Sequence, residues 1–267
     1  MSYGAIIGDV VGSIYEWNRI KTKDFDLFQD HCHYTDDSVC TAAVADVLLG
    51  NLPSVANVMR QWCRHHPDGG YGGYFEQWIH NDYMGPYGSY GNGSAMRISP
   101  VAFLNCSRPL ERVLEISDWI TEISHNHPEG IKGARATTHA IWLAFQGKKP
   151  TSIRETIASV YQYDLSRSVD GIRPTYVFDE TCQKTVPEAI TCALESDSYE
   201  DAIRNAVSLG GDSDTLAAIA GSIAEALHGI PNDLIEKTKE FLPDDIIEVI
   251  ERLYRTAGPF KVNSAFH

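Results

Sequence analysis

The sequence predicts an all-α protein that forms one domain, and two observations carry that prediction. Apolar residues recur every three or four positions along several segments, which is the spacing of one helix face. The alternation of apolar and polar residues that is typical of strands is scarce. The chain of 267 residues is long enough for one large domain, and it shows no repeat, low-complexity segment or obvious linker.

Four helices follow from this spacing, in chain order. Segments 35–50, 110–123, 133–145 and 216–227 each place their apolar residues on one face. The last of them is followed by Gly229, a residue type that commonly ends helices. These four segments are distributed along the whole chain, so the helical prediction applies to all of it.

Two further helix starts are predicted from capping residues. Ser152 with Glu155, and Thr185 with Glu188, have the spacing of a capping box, in which a hydroxyl and a carboxylate satisfy free N–H groups at a helix start. We therefore expect helices to begin at Ser152 and at Thr185.

The middle of the chain differs in composition from the helical segments. Residues 64–100 are rich in Gly and Tyr, as in "HHPDGGYGGYFEQW" and "YMGPYGSYGNGSAMR", and are predicted to be loops with aromatic side chains. Residues 173–178 are the best candidate for a short extended piece, although Pro174 weakens it.

Composition excludes several classes of function. A net charge of −14 argues against nucleic acid as the main partner, since phosphate backbones need a basic face. An anionic ligand would need metal ions or backbone N–H groups. The first residues do not resemble a signal peptide and no apolar run is long enough for a membrane span, so we expect a cytoplasmic monomer. The cysteines are expected to be reduced and packed; they are Cys32, Cys40, Cys63, Cys106, Cys182 and Cys192.

Acidic residues cluster where helices are expected to begin or where loops are tight. Asp9 and Glu16 form the first cluster, "YTDDS" follows, and "LGGDSDTLAAIAG" contains the last. Carboxylates with threonine hydroxyls make an all-oxygen ligand set, which favours Mg²⁺ or Mn²⁺ over zinc. Since so many like charges repel one another unless cations lie between them, two divalent ions with one bridging carboxylate are expected.

Plainer interpretations stand beside this one. "TDD" alone is typical of a helix cap, and "GGDSDT" gains weight from a double glycine that lets the backbone approach a ligand. His65, His66, His125 and His127 lack cysteine partners, and such histidines are more often surface or core residues than ligands. The loop tyrosines, taken alone, are more often packing residues.

Five motifs in order nevertheless resemble one family. "GDVVGSIYE", "YTDDS", "GSYGNGSAMR", "SHNHPEGIKGA" and "LGGDSDTLAAIAG" are similar to those of the ADP-ribosylglycohydrolase family, which includes the ADP-ribosyl-acceptor hydrolases and the dinitrogenase-reductase-activating glycohydrolase. The resemblance runs from about Gly4 to about Gly229. "GGDSDT" stands where the family commonly has "GGDTDT", and the chain is shorter than the human members, which bears on the choice of acceptor.

The resemblance implies a single compact orthogonal helical domain with two Mg²⁺ ions, for which Mn²⁺ can substitute. Asp214 would bridge the ions and Asp9 would support the ligands from behind. Glu16 and Asp37 would be the catalytic residues. The implied metal ligands are Thr35, Asp36, Asp37, Asp212, Asp214 and Thr215. The implied contacts to substrate are Gly70, Gly88, Ser89, Tyr90, Asn92 and His125.

The activity implied is hydrolysis of the glycosidic bond between ADP-ribose and a modified protein side chain, reversing mono-ADP-ribosylation. Arginine is the first choice of acceptor, with serine or a small ADP-ribose conjugate as rivals. Two other hypotheses remain: a non-catalytic ADP-ribose binder or crystallin-like structural protein, and a Mg²⁺-dependent nucleotide phosphohydrolase. A retired enzyme would have lost a carboxylate, whereas all five are present: Glu16, Asp36, Asp37, Asp212 and Asp214.

Overall fold

The computed structural model describes residues 2–50 and 54–258. The remaining parts of the predicted domain 1–267, which are Met1 and residues 51–53 and 259–267, lie outside the described residues. Within these ranges the helices are α1 (Tyr3–Gly12), α2 (Asp36–Gly50), α3 (Val55–His65), α4 (Gly73–His80), α5 (Gly93–Met96), α6 (Ser99–Asn105), α7 (Leu110–Thr121), α8 (Pro128–Phe145), α9 (Pro150–Tyr161), α10 (Val169–Ile172), α11 (Cys182–Leu194), α12 (Tyr199–Val207), α13 (Ser213–His228), α14 (Asn232–Lys239) and α15 (Asp244–Ala257).

The prediction of an all-α fold is confirmed. In the described parts of the chain, pairing of the strand type is limited to one antiparallel bridge between Gly91 and Thr181. Residues 173–178, the candidate extended piece, contain a turn and no strand. All four helices predicted from apolar spacing are present, as α2, α7, α8 and α13.

Helix α13 lies at the centre of the molecule. Every residue from Ser213 to Ala226 is buried, and the helix packs against α1, α8, α11 and α12. A helix that is buried all round belongs to a core rather than to a surface. Since Asp212 precedes α13 and Asp214 lies in its first turn, this central helix also holds the last acidic motif.

Helix α1 crosses α13 at very short range, and glycine makes this approach possible. A Cβ atom at Gly8 would lie 2.1 Å from the carbonyl oxygen of Ala217, and one at Gly12 would lie 2.5 Å from the Cα of Asp214. Only residues without a side chain fit such a contact. The contact brings Asp9 of α1 close to the start of α13.

Two predicted helix starts are wrong. Helix α9 begins at Pro150 rather than Ser152, because proline is favoured in the first turn, where the N–H it lacks would have no partner. Helix α11 begins at Cys182, so Thr185 lies inside it, where its hydroxyl donates to the carbonyl oxygen of Asp179 over 2.9 Å. Residues with capping-box spacing can thus occur within a helix when the preceding residues are already helical.

The prediction of loops over residues 64–100 is also wrong in part. Helices α4 and α5 lie within that segment, which also includes the first two residues of α6. The glycine content concealed α4, although Phe75, Trp78 and Ile79 have helical spacing and are buried. Tertiary packing overrides the low helix propensity of glycine here.

None of the helices in the described residues is long and apolar enough to cross a membrane. The six cysteines are all buried and form no disulfide bond, in agreement with the expectation of reduced, packed thiols.

Candidate active site

A cleft of about 990 Å³ opens where several helices begin. Its lining includes residues from the N-terminal ends of α2, α4 and α13 and from the turn that follows α1. Helix N-terminal ends carry partial positive charge and free N–H groups, so they attract anions and stabilise nearby carboxylates. The cleft is within the size range of small-molecule binding sites.

Two groups of carboxylates meet beneath this cleft. Asp9, Asp37 and Asp214 form one group, and Glu16, Asp212 and Asp214 form the other; within each, one oxygen atom from every acid lies within 4.8 Å of the other two. Asp214 belongs to both. The structure therefore brings together residues from α1, α2 and α13 that lie far apart in sequence, and it puts Asp214 between the two groups.

Asp37 lies deeper than the other predicted site residues. Its side chain is 2% exposed, and its Oδ1 atom has no hydrogen-bond partner in the described structure. Its Oδ2 atom accepts a hydrogen bond of 3.1 Å from the Thr215 hydroxyl. A buried carboxylate oxygen without a partner is costly, and a cation bound beside it would remove that cost.

Asp9 acts as a capping carboxylate for α2. Its oxygens accept hydrogen bonds from the backbone N–H groups of Thr35 and Ser38, both at 3.0 Å, and from both hydroxyls. With so many donors, Asp9 holds the start of α2 in place from behind. Asp9 lies inside α1 and not at a helix entrance, which corrects the expectation drawn from the sequence.

Burial and mutual repulsion raise the pKa values of these acids. Burial, with the charge of Asp214 as the next cause, raises the pKa of Glu16 to about 7 and that of Asp9 to about 6. The pKa values of Asp37 and Asp212 also lie well above the usual range for the same two reasons. Such shifts are typical of functional sites, where charge is concentrated for a ligand.

Asp36 stands apart from the two carboxylate groups. It lines the cleft, while its backbone N–H donates to the carbonyl oxygen of Gly69 over 2.7 Å. Burial, then Cys40, then Asp214 raise its pKa. Thr35 also lines the cleft, with its hydroxyl directed to Asp9 over 2.7 Å.

Asn92 connects the glycine-tyrosine loop to the acidic cluster. Its amide donates to Asp212 over 2.7 Å and to the Thr185 hydroxyl over 3.1 Å. The loop is held further by the bridge to Thr181, in which Asn92 N–H donates to the carbonyl oxygen of Glu180. One side of the cleft is therefore a fixed wall.

The other predicted substrate-binding residues also line the cleft: Gly70, Gly88, Ser89, Tyr90 and His125. Most of the N–H groups of the loop are already bonded within the protein, including those of Gly88 and Ser89. In contrast, the N–H groups of the first turn of α4, at Gly73, Tyr74 and Phe75, have no acceptor among the described contacts. These N–H groups are the better candidates for binding an anion.

His125 is a buried histidine in the wall of the cleft. Burial and then the charge of Arg97 hold its pKa well below the usual range. Its Nδ1 atom lies 2.8 Å from the Ser124 hydroxyl, to which Arg97 donates over 2.9 Å. The imidazole can therefore offer one donor or acceptor to a ligand without adding charge.

Sequence reasoning missed several residues of the cleft. Arg97 closes the quoted motif "GSYGNGSAMR" yet had no predicted role, and Trp17 directly follows Glu16. Glu180 had no signal in the sequence, because only the fold brings it near Glu16, whose pKa it raises. Trp17 is 73% exposed and lies against Phe178 with ring centroids 5.4 Å apart.

Comparison with known proteins identifies both the family and the fold. The family model for ADP-ribosylglycohydrolase matches residues 1–260. The chain is similar to ADP-ribosylarginine hydrolase Tri1 of Pseudomonas putida, with 28% identity over 88% of this chain and 72% of that protein. It is also similar to ADP-ribosylhydrolase ARH3 of Mus musculus, with 23% identity over 96% of this chain and 91% of that protein. A solved structure described as an ADP-ribosylglycohydrolase-related protein complex matches with a TM-score of 0.71 and 20% identity over 96% of both chains, which shows a shared fold.

Proposed function

The chain belongs to the ADP-ribosylglycohydrolase family, and on that premise we propose that it is a Mg²⁺-dependent hydrolase that removes ADP-ribose from a modified protein side chain. The observation that carries the proposal is Asp214, which belongs to two carboxylate groups beneath one cleft. A shared carboxylate between two all-oxygen groups is the arrangement that a pair of hard cations needs.

The residues fit a pair of Mg²⁺ ions. Asp37 and Thr35 would hold one ion and Asp212 the other, with Asp214 between them; Asp36 and Thr215 complete the oxygen set. The unpartnered Oδ1 of Asp37 supports this assignment. When bound, the two ions supply positive charge that orients the hydroxyls of the distal ribose and lowers the pKa of a water molecule.

The reaction breaks the bond from C1 of the distal ribose to the acceptor side chain. Its transition state resembles an oxocarbenium ion, and the surrounding carboxylates favour that positive charge. Glu16 lines the cleft and is only half-buried, so it can reach both the substrate and solvent, and it is the acid we propose for proton transfer. We assign proton transfer to Glu16 and, because Asp37 is far more buried, the holding of charge to Asp37.

The diphosphate is proposed to lie at the start of α4. The free N–H groups of Gly73 and Tyr74 would bind its oxygens, with the helix dipole behind them. Tyr74 is exposed and lies beside Tyr87 with ring centroids 6.2 Å apart, which offers an aromatic face for the adenine. An acidic chain can in this way hold a ligand with two negative charges.

The mouth of the cleft favours arginine as the acceptor over serine. Glu16 and Glu180 lie close enough for the charge of Glu180 to raise the pKa of Glu16, and Trp17 presents its ring beside them. Carboxylates and an exposed indole attract a guanidinium, both by charge and by cation–π contact. A serine linkage or a small conjugate without a cation would gain no charge attraction from Glu180 and no cation–π contact from Trp17.

The experiment is the release of free ADP-ribose from an arginine-linked and a serine-linked peptide, with Mg²⁺ and with EDTA. We expect release from the arginine-linked peptide with Mg²⁺ and none with EDTA. Release of phosphate would favour the nucleotide phosphohydrolase instead. Binding of ADP-ribose without release from either peptide would favour the non-catalytic binder.

A further inference from the structure

A second cluster of metal-ligating side chains lies outside the cleft. His65 ends α3, His66 follows it, and Asp245 lies in the first turn of α15. One ligand atom from each of the three lies within 4.8 Å of the other two. The ends of two helices far apart in sequence therefore present two imidazoles and one carboxylate to a common point.

The distances suit a tetrahedral ion. Oδ2 of Asp245 lies 3.0 Å from Nε2 of His66 and 3.6 Å from Nε2 of His65. Ligand atoms at about 2.0–2.1 Å from a tetrahedral zinc ion lie roughly 3.4 Å apart from one another. Small movements of the exposed His65 ring would thus place three ligands around one ion, with a water molecule as the fourth.

The ligand atoms are oriented by their neighbours. The Nδ1 atom of His66 lies 3.3 Å from the Tyr34 hydroxyl, and Trp62 stacks on the other side of the ring. Metal-binding histidines commonly have their second nitrogen fixed in this way. Oδ1 of Asp245 accepts the N–H of Ile246 over 2.9 Å, which leaves Oδ2 directed at both imidazoles.

We propose that His65, His66 and Asp245 bind one divalent transition metal ion, of which Zn²⁺ is the type, at the junction of α3 and α15. Two imidazole nitrogens and one carboxylate select Zn²⁺ and its neighbours over Mg²⁺, which prefers oxygen. The site is chemically distinct from the carboxylate groups of the cleft, where each ligand is an oxygen atom.

The proposed site also touches the wall of the cleft. The Tyr71 hydroxyl donates to the carbonyl oxygen of His66 over 2.7 Å, and Tyr71 lies between the cleft-lining residues Gly70 and Gly72. Tyr34 directly precedes Thr35. A bound ion would tie α15 to α3 and would hold this wall more firmly, through contacts that are already present.

The test is a Zn²⁺ titration by calorimetry of the full chain in saturating Mg²⁺, so that the cleft is already filled. We expect the wild type to bind one more equivalent of Zn²⁺ than His65→Ala or Asp245→Asn. Both variants should fold, because both side chains reach solvent and neither change removes core packing. His80→Ala is the matched control, because His80 is an exposed histidine that also faces a carboxylate, that of Glu76; it should bind Zn²⁺ like the wild type.

A second measurement protects the test against effects on folding. Zn²⁺ should raise the melting temperature of the wild type and His80→Ala, relative to each protein without Zn²⁺, because a ligand of the native state stabilises it. The rise should be absent in the other two variants. Equal Zn²⁺ binding in all four proteins, or no binding in the wild type, would overturn the proposal.

Discussion

Asp214 shows how much one side chain can set the electrostatics of a site. After burial, its charge is among the causes that raise the pKa of the other acids near it: Asp9, Glu16, Asp36, Asp37 and Asp212. Removing this charge should thus have two opposite effects. The site would lose the metal ligand that we propose both ions share, while the metal-free protein would lose a source of repulsion.

We expect Asp214→Asn to lower turnover by at least roughly a hundredfold and to abolish the Mg²⁺-induced rise in melting temperature. Without Mg²⁺ the variant should melt higher than the wild type, which separates loss of the site from misfolding. Asp233→Asn, at an exposed position of α14, is the control and should change neither quantity. Full activity in Asp214→Asn would rule out the bridging role.

Glu180 is the residue that tests the choice of acceptor. We expect Glu180→Gln to raise the KM for an arginine-linked substrate roughly two- to fivefold, the scale of an exposed ion pair, and to leave the serine-linked substrate unchanged. Because Glu180 also raises the pKa of Glu16, its loss can affect both substrates, so the quantity to compare is the ratio of the two KM values. Glu155→Gln, at an exposed position of α9, is the control for the loss of a surface charge. An unchanged ratio of KM values in Glu180→Gln would show that Glu180 does not recognise the acceptor.

At the scale of elements, the site depends on how closely α1 and α13 approach. Asp9 reaches the start of α2 from inside α1, and Asp214 is on the first turn of α13. Any increase in the distance between these helices would separate the two carboxylates and would move the start of α2. The packing of two helices thus decides the geometry of the acids.

Gly8→Ala tests that packing. Its Cβ would overlap the carbonyl group of Ala217, so we expect a loss of stability of about 1–3 kcal/mol or more, measured by urea unfolding. The variant should also bind Mg²⁺ more weakly. Gly73→Ala is the matched control, because a Cβ there meets nothing within 4 Å and the position is also helical; equal stabilities would contradict a tight contact between α1 and α13.

At the scale of the whole molecule, the acids of the site couple stability to pH. Their pKa values are higher in the folded state than in an unfolded chain, with Asp9 at about 6 and Glu16 at about 7. A carboxyl with a raised pKa contributes stability below its unfolded pKa, and that contribution is lost as the pH rises through the folded pKa. Metal-free protein should therefore lose stability across this range.

Melting temperatures from about pH 5 to about pH 8, in EDTA and in Mg²⁺, measure this coupling. In EDTA, the stability that these acids contribute should fall as the pH rises. The increase in melting temperature caused by Mg²⁺ should grow over the same range, because the ions compete with protons for the same oxygens. Asp214→Asn should show a much smaller dependence on Mg²⁺. If Mg²⁺ increases the melting temperature equally at low and high pH, the result would contradict a carboxylate metal site.

The sequence by itself determined the helical class, four of the helices and the family. These depend on information that is local or ordered along the chain: apolar spacing in α2, α7, α8 and α13, and five motifs in a fixed order. It also provided the five acids of the two carboxylate groups by residue type, whereas Glu180 carried no signal. Local sequence failed at α4, where glycines hide a helix that is stabilised by burial of Phe75 and Trp78.

Only the tertiary structure decided how the acids are arranged. Asp214 and Asp37 are 177 positions apart in the sequence, and Glu180 and Glu16 are nearly as distant. Their proximity follows from the contact of α1 with α13 and from the bridge between Gly91 and Thr181. Sequence patterns report which faces are apolar, whereas distances between elements depend on packing that no local pattern records.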